Sequence, residues 1–397
     1  MTTDNTPSKN SADARERTCL IDHPLTLTSF RHWMRLVRAG GGVDPCYRWR
    51  AAQVSALSPF GAVLRAAERL FWNKRARSVA ITQPPIFILG HWRTGTTHLH
   101  NLMCCDPQFG FVSTFQALVP ESCLLPLNPL QPVITWCAPT HRHMDRMPLG
   151  PSLPQEEEFA LCNLCSSSFY VGWYFPRRMN ELFRKYVLFE DISDSERLEW
   201  SDQYLDVLKK ATVRANGRPL VLKNPVNTGR IPALLQLFPD AKFIHVYRDP
   251  YAVFKSTLNL HRATLDMIAF QQIPDSEIER NVLTFYRDMM LRYLEDRTLI
   301  PEGNLAEVRF EDLEREPIER MAAIYAELGL SGWDEALPHV TRHLKSQADY
   351  RKNHFPSDPG DSEKVEQHWG FALDAWGYRK PAFSAFPAQP SPAEEPA

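Results

Sequence analysis

Residues 85–103 combine glycines, hydroxyl groups and a cation in a pattern suited to binding an anion. They read PIFILGHWRTGTTHLHNLM, in which Gly90 and Gly95 are five positions apart and Thr96 and Thr97 follow the second glycine. The run predicts a buried strand, a tight turn and then a helix. Backbone N–H groups and the dipole at the start of a helix attract phosphate or sulfate, and glycine permits the close approach. The segment therefore predicts an anion cradle.

This loop departs from that of ATP-dependent kinases, in which a lysine directly after the second glycine reaches the β and γ phosphates. Thr96 occupies that position, and the cation lies inside the loop at Arg93. No apolar strand ending in an acidic residue supplies an obvious magnesium anchor. The loop is thus suited to a phosphate-like group without the metal–triphosphate apparatus, and an ordinary strand-to-helix turn is the alternative.

A second basic residue, Arg248, follows an apolar run, and Ser256 lies eight residues further along. Asp249 and Pro250 can start a helix, which places Ser256 about two turns into it on the same side as the start. A guanidinium group and a hydroxyl together suit a phosphomonoester, because guanidinium provides forked donors. Local pairing of Arg248 with Asp249 is the alternative.

Lys223 and an acidic cluster supply groups for chemistry. A lysine at a strand end beside an anion loop can stabilise the negative charge that grows on a bridging oxygen during group transfer. Glu156, Glu157 and Glu158 precede an apolar helical stretch in PQEEEFALCNL. A carboxylate in a desolvated cleft there would have a raised pKa and would suit general-base work. Attraction of acidic residues to the helix dipole is the alternative.

Four short apolar runs predict the strands that position these groups, at residues 85–90, 219–224, 242–249 and 305–310. Helical stretches separate the runs, and this alternation indicates a parallel α/β sheet with right-handed crossovers. Ligands of such sheets bind beyond the carboxyl ends of the strands, where the motifs above lie. Apolar residues between about 25 and 80 recur at helical spacing and predict helices on either side of a turn at GGGVDP.

Composition limits the function and the domain organisation. The 397 residues carry 45 Lys+Arg and 47 Asp+Glu, a formal net charge of −2, which argues against a nucleic-acid binder. We expect one domain over residues 21–380, with a helical extension at 21–80 and an α/β core at 81–380. Residues 1–20 and 381–397 are expected to be disordered. The absence of a long apolar run or signal peptide predicts no integral membrane segment and a cytoplasmic location.

The histidines and cysteines of the sequence are candidates for metal ligands and for the base. The irregular spacing of the eight cysteines favours free thiols. Cys162 and Cys165 form a CxxC, and residues 141–143 an HxH, but neither has the partners of a zinc site, so no metal is expected. His91 and His98 flank the glycine loop and are a second source of a base.

The order and spacing of these motifs resemble sulfotransferases that use 3′-phosphoadenosine 5′-phosphosulfate (PAPS), above all a bacterial-type subgroup with GHWR[ST]GTT and QE[DE]EFAL motifs. The resemblance extends from about residue 25 to residue 378 and includes the GGVDP turn, LKNP, VRFEDLEREP and a terminal WGY. It implies the P-loop-like three-layer sulfotransferase fold, with a parallel sheet flanked by helices, a helical N-terminal extension and a helical insertion.

The resemblance also implies a role for each motif. Lys223 contacts the transferred sulfuryl group, and Arg248 and Ser256 bind the 3′ phosphate. A glutamate of the acidic cluster is the base, with Glu157 and Glu158 ranked slightly ahead of Glu156. The 5′-phosphosulfate is held by Arg93, Thr94, Gly95, Thr96 and Thr97. A looser match adds Arg351 and Lys352 to the nucleotide contacts.

Two positions depart from the family pattern. Asn227 replaces the histidine that relatives of the subgroup tend to have in LK-[SN]-P-x-H, and Pro225 stands where animal cytosolic sulfotransferases have their histidine base. Another residue must therefore serve as the base. The implied reaction is sulfuryl transfer from PAPS, without a metal, to a hydroxyl or amine of a small molecule, lipid or carbohydrate. A small-molecule phosphotransferase and a nucleotide-binding protein without turnover are the alternatives, and a homo-oligomer is left open.

Overall fold

A four-stranded parallel sheet with the strand order β2-β1-β3-β4 lies at the centre of the structure. The computed structural model describes residues 23–72, 78–126, 128–137, 147–347 and 359–379. The strands are β1 (Ile86–Leu89), β2 (Val221–Lys223), β3 (Lys242–Tyr247) and β4 (Leu305–Arg309). They fall within the four apolar runs, so the predicted parallel α/β sheet is confirmed.

The α-helices of the described residues surround this sheet. In chain order they are α1 (Phe30–Ala39), α2 (Arg48–Leu57), α3 (Ala62–Phe71), α4 (Thr96–Met103), α5 (Thr114–Leu118), α6 (Leu130–Cys137), α7 (Glu157–Leu164), α8 (Val171–Tyr174), α9 (Met179–Tyr186), α10 (Asp194–Arg214), α11 (Ile231–Leu237), α12 (Pro250–Ile268), α13 (Asp275–Asp296), α14 (Phe310–Arg315), α15 (Pro317–Glu327), α16 (Trp333–Ser346) and α17 (Pro359–Trp376). Helices α4 to α10 all lie between β1 and β2 in the chain.

The register of the sheet brings the predicted site groups to one edge. Ile88 of β1 is paired with Lys223 of β2 on one side and with Ile244 of β3 on the other. All four residues of β1 are buried, as expected for a central strand covered on both faces. Because the strands are parallel, the loop after β1, Lys223 and Arg248 emerge together at the carboxyl edge.

The helical extension predicted near the N-terminus is present as α1, α2 and α3. Ser29 caps α1 by accepting a hydrogen bond from the backbone of His32. The turn after α1 requires glycine at Gly40, since a Cβ there would lie 2.3 Å from the ring of Phe175. Trp33 packs against Phe175 and anchors the extension to the main core.

Candidate active site

The loop between β1 and α4 needs both of its glycines. Gly90 has φ 136° and Gly95 has φ 100°, values that side-chain-bearing residues rarely adopt. A Cβ on Gly90 would lie 2.5 Å from the carbonyl oxygen of Val246, and one on Gly95 would lie 2.0 Å from the ring of Phe310. The Gly90 N–H donates to Thr228 Oγ1 at 2.8 Å, which ties the loop to the turn after β2.

Arg93 joins the two halves of the predicted anion site. Its backbone also has a positive φ, 71°, and its Nε donates to Ser256 Oγ at 2.8 Å. Arg248 Nη1 in turn donates to the carbonyl oxygen of Arg93 at 3.1 Å. The structure thus brings Arg93 together with Arg248 and Ser256, which are more than 150 residues away in the chain.

The electrostatics of this cluster favour an anionic ligand. The Arg248 guanidinium lies 4.6 Å from the centre of the Phe310 ring. Burial lowers its pKa, Glu311 raises it, and the neighbouring cation of Arg93 lowers it further. Two guanidinium groups held this close repel each other unless an anion lies between them. The first N–H groups of α4, which begins at Thr96 directly after Gly95, have no acceptor within the helix and add donors at the same place.

The residues around the loop therefore fit a ligand with more than one phosphate-like group. Thr94 and Thr96 are buried in the loop, while Arg93, Gly95 and Thr97 are partly exposed. Thr94 Oγ1 is used within the loop, where it donates to the carbonyl oxygen of His91 at 2.8 Å. Arg351 and Lys352, the looser match for nucleotide contacts, lie outside the described residues.

Glu156 is the carboxylate that the structure places against Lys223. The two side chains form an ion pair, and both are largely buried, with exposures of 11% and 3%. Glu156 also accepts a hydrogen bond from the Tyr170 hydroxyl, which receives one from Trp92 Nε1 at 3.3 Å. Burial, and then the Glu156 charge, raise the pKa of Tyr170, so its hydroxyl keeps its proton. This chain of contacts links the glycine loop, through Trp92, to a carboxylate and a lysine.

Glu158 lies in a different environment, in a fully buried ion pair with Arg230. Arg230 Nη1 and Nη2 donate to the two carboxylate oxygens at 2.7 and 3.0 Å. The carboxylate accepts further hydrogen bonds from Asn224 at 2.8 Å and from Ser168 at 2.8 Å. Both side chains of the pair are 0% exposed. The sequence ranks Glu158, together with Glu157, slightly ahead of Glu156 as the base. In the structure the carboxylate of Glu158 is occupied by the hydrogen bonds from Arg230, Asn224 and Ser168.

Glu157 faces a third environment. Its Oε1 accepts hydrogen bonds from Tyr204 and from Asn227 Nδ2, each at 2.8 Å. Burial raises the pKa of Glu157 to about 7, even though the hydrogen bonds to the carboxylate lower it. Asn227 also donates to the Tyr204 hydroxyl at 3.0 Å. The residue that replaces the subgroup's histidine therefore holds Glu157 and Tyr204 together.

The other candidate bases and ligands have simpler surroundings. Burial lowers the pKa of His91 to about 3, so this side chain is neutral and donates from Nδ1 to the carbonyl oxygen of Trp92. Cys162 and Cys165 are buried free cysteines that belong to separate hydrophobic clusters. The HxH lies outside the described residues. Within the described ranges, no group of three or more potential metal ligands is found.

Several residues of the site carried no recognisable signal in the sequence. Tyr170 and Arg230 contact the glutamates from 14 and 72 positions away, and Phe310, which lies against both Gly95 and Arg248, comes from the end of β4. Arg230 was the most accessible to sequence reasoning, because it follows the LKNP stretch by five residues. Long-range partners of this kind are set by the fold.

With this geometry, the class of protein can be stated. A model of the sulfotransferase family matches residues 84–335. The chain belongs to the sulfotransferase family, and it is a sulfotransferase enzyme. Members of this family generally take the sulfuryl group from PAPS. No helix among the described residues combines the length and apolar character needed to cross a bilayer.

Individual relatives agree with the family. The chain is 32% identical over 351 residues to omega-hydroxy-beta-dihydromenaquinone-9 sulfotransferase Stf3 of Mycobacterium bovis and of Mycobacterium tuberculosis, covering 88% of this chain and 90% of the relative. Its fold is similar to the crystal structures of sulfotransferase STF1 from M. tuberculosis H37Rv, with a TM-score of 0.61, 21% identity and coverage of 86% and 92%. STF9 from Mycobacterium avium gives a TM-score of 0.63, 20% identity and coverage of 89% and 97%. The fold expected from the resemblance is therefore confirmed.

Proposed function

We propose that the enzyme transfers the sulfuryl group of PAPS to a lipid-like hydroxyl acceptor, with Glu156 as the general base. The observation that carries this proposal is the contact of Glu156 with both Lys223 and the Tyr170 hydroxyl. It joins a carboxylate to the lysine that, by resemblance, contacts the transferred group. PAPS supplies an activated sulfuryl group on a 5′ phosphate, and the chain supplies the binding and the proton transfer.

The nucleotide is held by the cationic cluster. The N–H groups at the start of α4 and the Arg93 side chain face the 5′-phosphosulfate, together with Thr94, Gly95, Thr96 and Thr97. Arg248 and Ser256 bind the 3′ phosphate, and Arg351 and Lys352 stay in the proposal as additional nucleotide contacts. The hydrogen bond between Arg93 and Ser256 supports this assignment, because a residue proposed for the 5′-phosphosulfate is in contact with one proposed for the 3′ phosphate.

Glu156 and Lys223 divide the chemistry. The acceptor oxygen forms a bond to sulfur as the bond between sulfur and the 5′-phosphate oxygen breaks, and the hydroxyl proton passes to Glu156. Lys223 stabilises the charge that develops on the departing oxygen. When Lys223 turns to that oxygen, its ion pair with Glu156 is released and the carboxylate is left to accept the proton. The products are a sulfate ester and adenosine 3′,5′-bisphosphate.

The acceptor class is proposed from the relatives. Stf3 is named for a hydroxylated menaquinone, a lipid-like acceptor, and it shares 32% identity with nearly the whole chain. A long apolar alcohol is thus a better first candidate than a carbohydrate. No metal is needed for this reaction, because cationic side chains and backbone N–H groups perform the charge neutralisation that magnesium performs in phosphotransferases.

Ligand-induced thermal stabilisation tests the nucleotide part of the proposal. A ligand that binds only the folded protein stabilises it by about 2.7 kcal/mol at a hundredfold excess over Kd. We expect adenosine 3′,5′-bisphosphate to raise Tm, and AMP and Mg-ATP to raise it much less. Arg93→Ala and Arg248→Ala should each abolish the selective shift, whereas the exposed control Arg262→Ala should retain it. A preference for Mg-ATP would instead favour a phosphotransferase.

Turnover assays test the proposed reaction and the acceptor class. Incubation with PAPS and a long-chain alcohol or hydroxylated quinone should release adenosine 3′,5′-bisphosphate in step with acceptor sulfation, measured by mass spectrometry. A selective thermal shift without turnover on any acceptor would favour a nucleotide-binding protein that does not catalyse transfer.

A further inference from the structure

Helix α3 is turned with its apolar side to solvent. Arg65 and Glu68 are buried, with exposures of 7% and 0%, whereas Val63 and Leu70 are 78% and 76% exposed. Val63 and Leu70 are seven residues apart and therefore share one face of the helix. A surface helix of a globular protein normally has the opposite arrangement, with its apolar face towards the core.

The buried polar side chains of α3 explain why the helix cannot simply rotate. Arg65 donates to the carbonyl oxygens of Leu27 at 3.1 Å and Ser58 at 3.0 Å. Glu68 accepts from Lys210 Nζ at 3.0 Å and from the backbone N–H of Leu124 at 2.6 Å. Rotation would withdraw the Glu68 carboxylate from the buried Lys210 ammonium and leave it only the more distant Asp206, at 3.6 Å, which is costly. The outward direction of the apolar face is therefore set by the packing of α3.

The apolar face of α3 belongs to a segment with further exposed apolar side chains, which together are called the extension patch. Of the large apolar side chains in the described residues, the five most exposed all belong to α2, α3 and the turn between them. They are Trp49 at 82%, Phe60 at 74%, Val63 at 78%, Leu70 at 76% and Phe71 at 71%. The next most exposed large apolar side chain is Leu198, at 66%. Such a concentration on a soluble chain marks an interaction surface.

The charge of the same segment is strongly positive. Residues 30–72 contain seven arginines and only two acidic residues, whereas the whole chain has a net charge of −2. Both acidic residues are engaged: Asp44 pairs with Arg177 at 2.7 Å, and Glu68 is buried against Lys210. The segment that carries the extension patch is therefore both rich in exposed apolar side chains and strongly cationic.

An open cavity adjoins the patch. It has a volume of about 560 Å³ and is lined by Arg31, Arg65, Arg69 and Leu70, among others. Glu121 contacts Arg69 at 2.7 Å and Arg65 at 3.7 Å, so two of the three guanidinium groups share one carboxylate. The cavity keeps a positive charge beside an exposed apolar side chain, which suits a phosphate that is attached to an acyl chain.

We propose that the extension patch docks on an anionic phospholipid membrane, with Trp49, Phe60 and the apolar face of α3 in the interface and a phosphate headgroup in the cavity. Aromatic and aliphatic side chains framed by arginines are the composition of interfacial membrane anchors. A second copy of this chain is a poorer occupant, because a twofold interface would place the cationic patch against itself.

The N-terminal extension that carries the patch is hydrogen-bonded to the helix that follows Glu156. Thr28 Oγ1 donates to the carbonyl oxygen of Asn163 at 2.8 Å, and His32 Nε2 donates to that of Cys162 at 3.0 Å. Both acceptors lie on α7, which begins directly after Glu156. Docking through the extension would thus hold the helix of the proposed base at a membrane, where a lipid acceptor is dissolved. The docking itself does not depend on the proposed reaction.

Vesicle sedimentation with the full chain tests docking. Vesicles of phosphatidylcholine alone are compared with vesicles that also contain phosphatidylglycerol, in low and high salt. We expect binding to the anionic vesicles only, weakened by salt. Val63→Gln/Leu70→Gln should reduce this binding roughly tenfold or more, because two apolar side chains no longer enter the interface. Arg31→Gln should reduce it roughly fivefold, because about 1 kcal/mol is contributed by each basic residue.

The matched control is Leu198→Gln, an exposed leucine on α10, which should bind like the wild type. Equal binding to neutral vesicles, or binding that the Val63/Leu70 variant retains, would overturn the proposal. Analytical ultracentrifugation adds a further outcome: self-association that Val63→Gln/Leu70→Gln abolishes would assign the patch to a second copy instead. The variant should keep the adenosine bisphosphate thermal shift, so failure of docking is distinguishable from failure of the proposed function.

Discussion

Two glutamate–cation pairs begin two positions apart in the chain and have different surroundings. Glu156 and Lys223 lie at the carboxyl edge of the sheet, next to Tyr170, and retain a small exposure. Glu158 and Arg230 are completely enclosed, and Asn224 and Ser168 contribute the remaining hydrogen bonds. The first pair, called the open pair, keeps some exposure to solvent, whereas the second, called the closed pair, has none.

The contrast shows how one acidic run performs several tasks. Glu156 precedes the first residue of α7, and successive helical positions point about 100° apart, so the three side chains meet three environments. A pair with few partners can exchange one of them for a ligand. A pair with all its partners satisfied, such as Glu158 with Arg230, stabilises the relation between α7 and the segment after β2.

The largest expected effect belongs to the open pair. Glu156→Gln should lower turnover by about 10²- to 10⁴-fold, because the acceptor proton loses its base, with little change in the thermal shift by adenosine bisphosphate. Steady-state rates of sulfated product measure this loss. Glu157→Gln in the same assay is the matched comparison. Full activity of Glu156→Gln together with a loss in Glu157→Gln would transfer the base role to Glu157.

Breaking the closed pair, Glu158 with Arg230, should lower the free energy of unfolding. Arg230→Ala leaves the Glu158 carboxylate buried without its cation, and this is expected to cost about 3–5 kcal/mol of unfolding free energy. Urea unfolding followed by circular dichroism gives the value. If the variant is too unstable to purify, Arg230→Lys keeps one charge but loses the bidentate contact, and it should show a smaller loss. A loss below that of an exposed pair would contradict the distinction drawn here.

Glu157 should make stability depend on pH. Its pKa is raised from 4.5 to about 7 by burial, so the folded state binds this proton more tightly than the unfolded state does. The contribution of Glu157 to stability therefore falls as pH rises from about 4.5 to above 7, by at most roughly 3 kcal/mol. Glu157→Gln removes this slope. The unfolding free energies of the wild type and of Glu157→Gln, measured across that pH range, test the prediction. It would be wrong if the two free energies changed with pH in parallel.

The smallest effect is expected for an exposed pair. Arg262 and Asp275 are in contact, with side-chain exposures of 43% and 61%. Arg262→Ala should therefore change the unfolding free energy by less than about 1 kcal/mol, because solvent and salt screen the interaction. The difference between the unfolding free energies lost in Arg230→Ala and in Arg262→Ala measures how much burial adds to the cost of breaking an ion pair. A large loss from Arg262→Ala would mean that pairing, rather than burial, controls the cost.

The sequence predicted the sheet and the glycine-containing turn after β1 well, for local reasons. Buried parallel strands are continuous apolar runs, and the turn after β1 needs glycine at Gly90 and Gly95 whatever surrounds it. Arg93, Lys223 and Arg248 were placed near one another because parallel strands end at one edge. The roles assigned to these residues in binding and catalysis stay predictions, and the variants above test those of Arg93 and Arg248.

The ranking among the three glutamates needed the tertiary structure. Nothing in PQEEEFAL distinguishes Glu156 from its neighbours, since the distinction rests on Tyr170, Lys223 and Arg230, which lie 14 to 72 residues further along the chain. Burial and hydrogen bonding, the quantities that decide whether a carboxylate is a base or a structural anion, depend on such partners.

In the N-terminal extension, too, the sequence determined one property of a helix and the tertiary structure decided another. The sequence determined that residues 62–71 form an amphipathic helix, because apolar side chains recur at helical spacing. Periodicity defines the two faces of a helix without saying which one is buried. Only the tertiary structure decided that Arg65 and Glu68 point inward and that Val63 and Leu70 point outward. The reason is that the buried partners of the polar face, Lys210 and the carbonyl oxygen of Leu27, lie on the inner side of the helix.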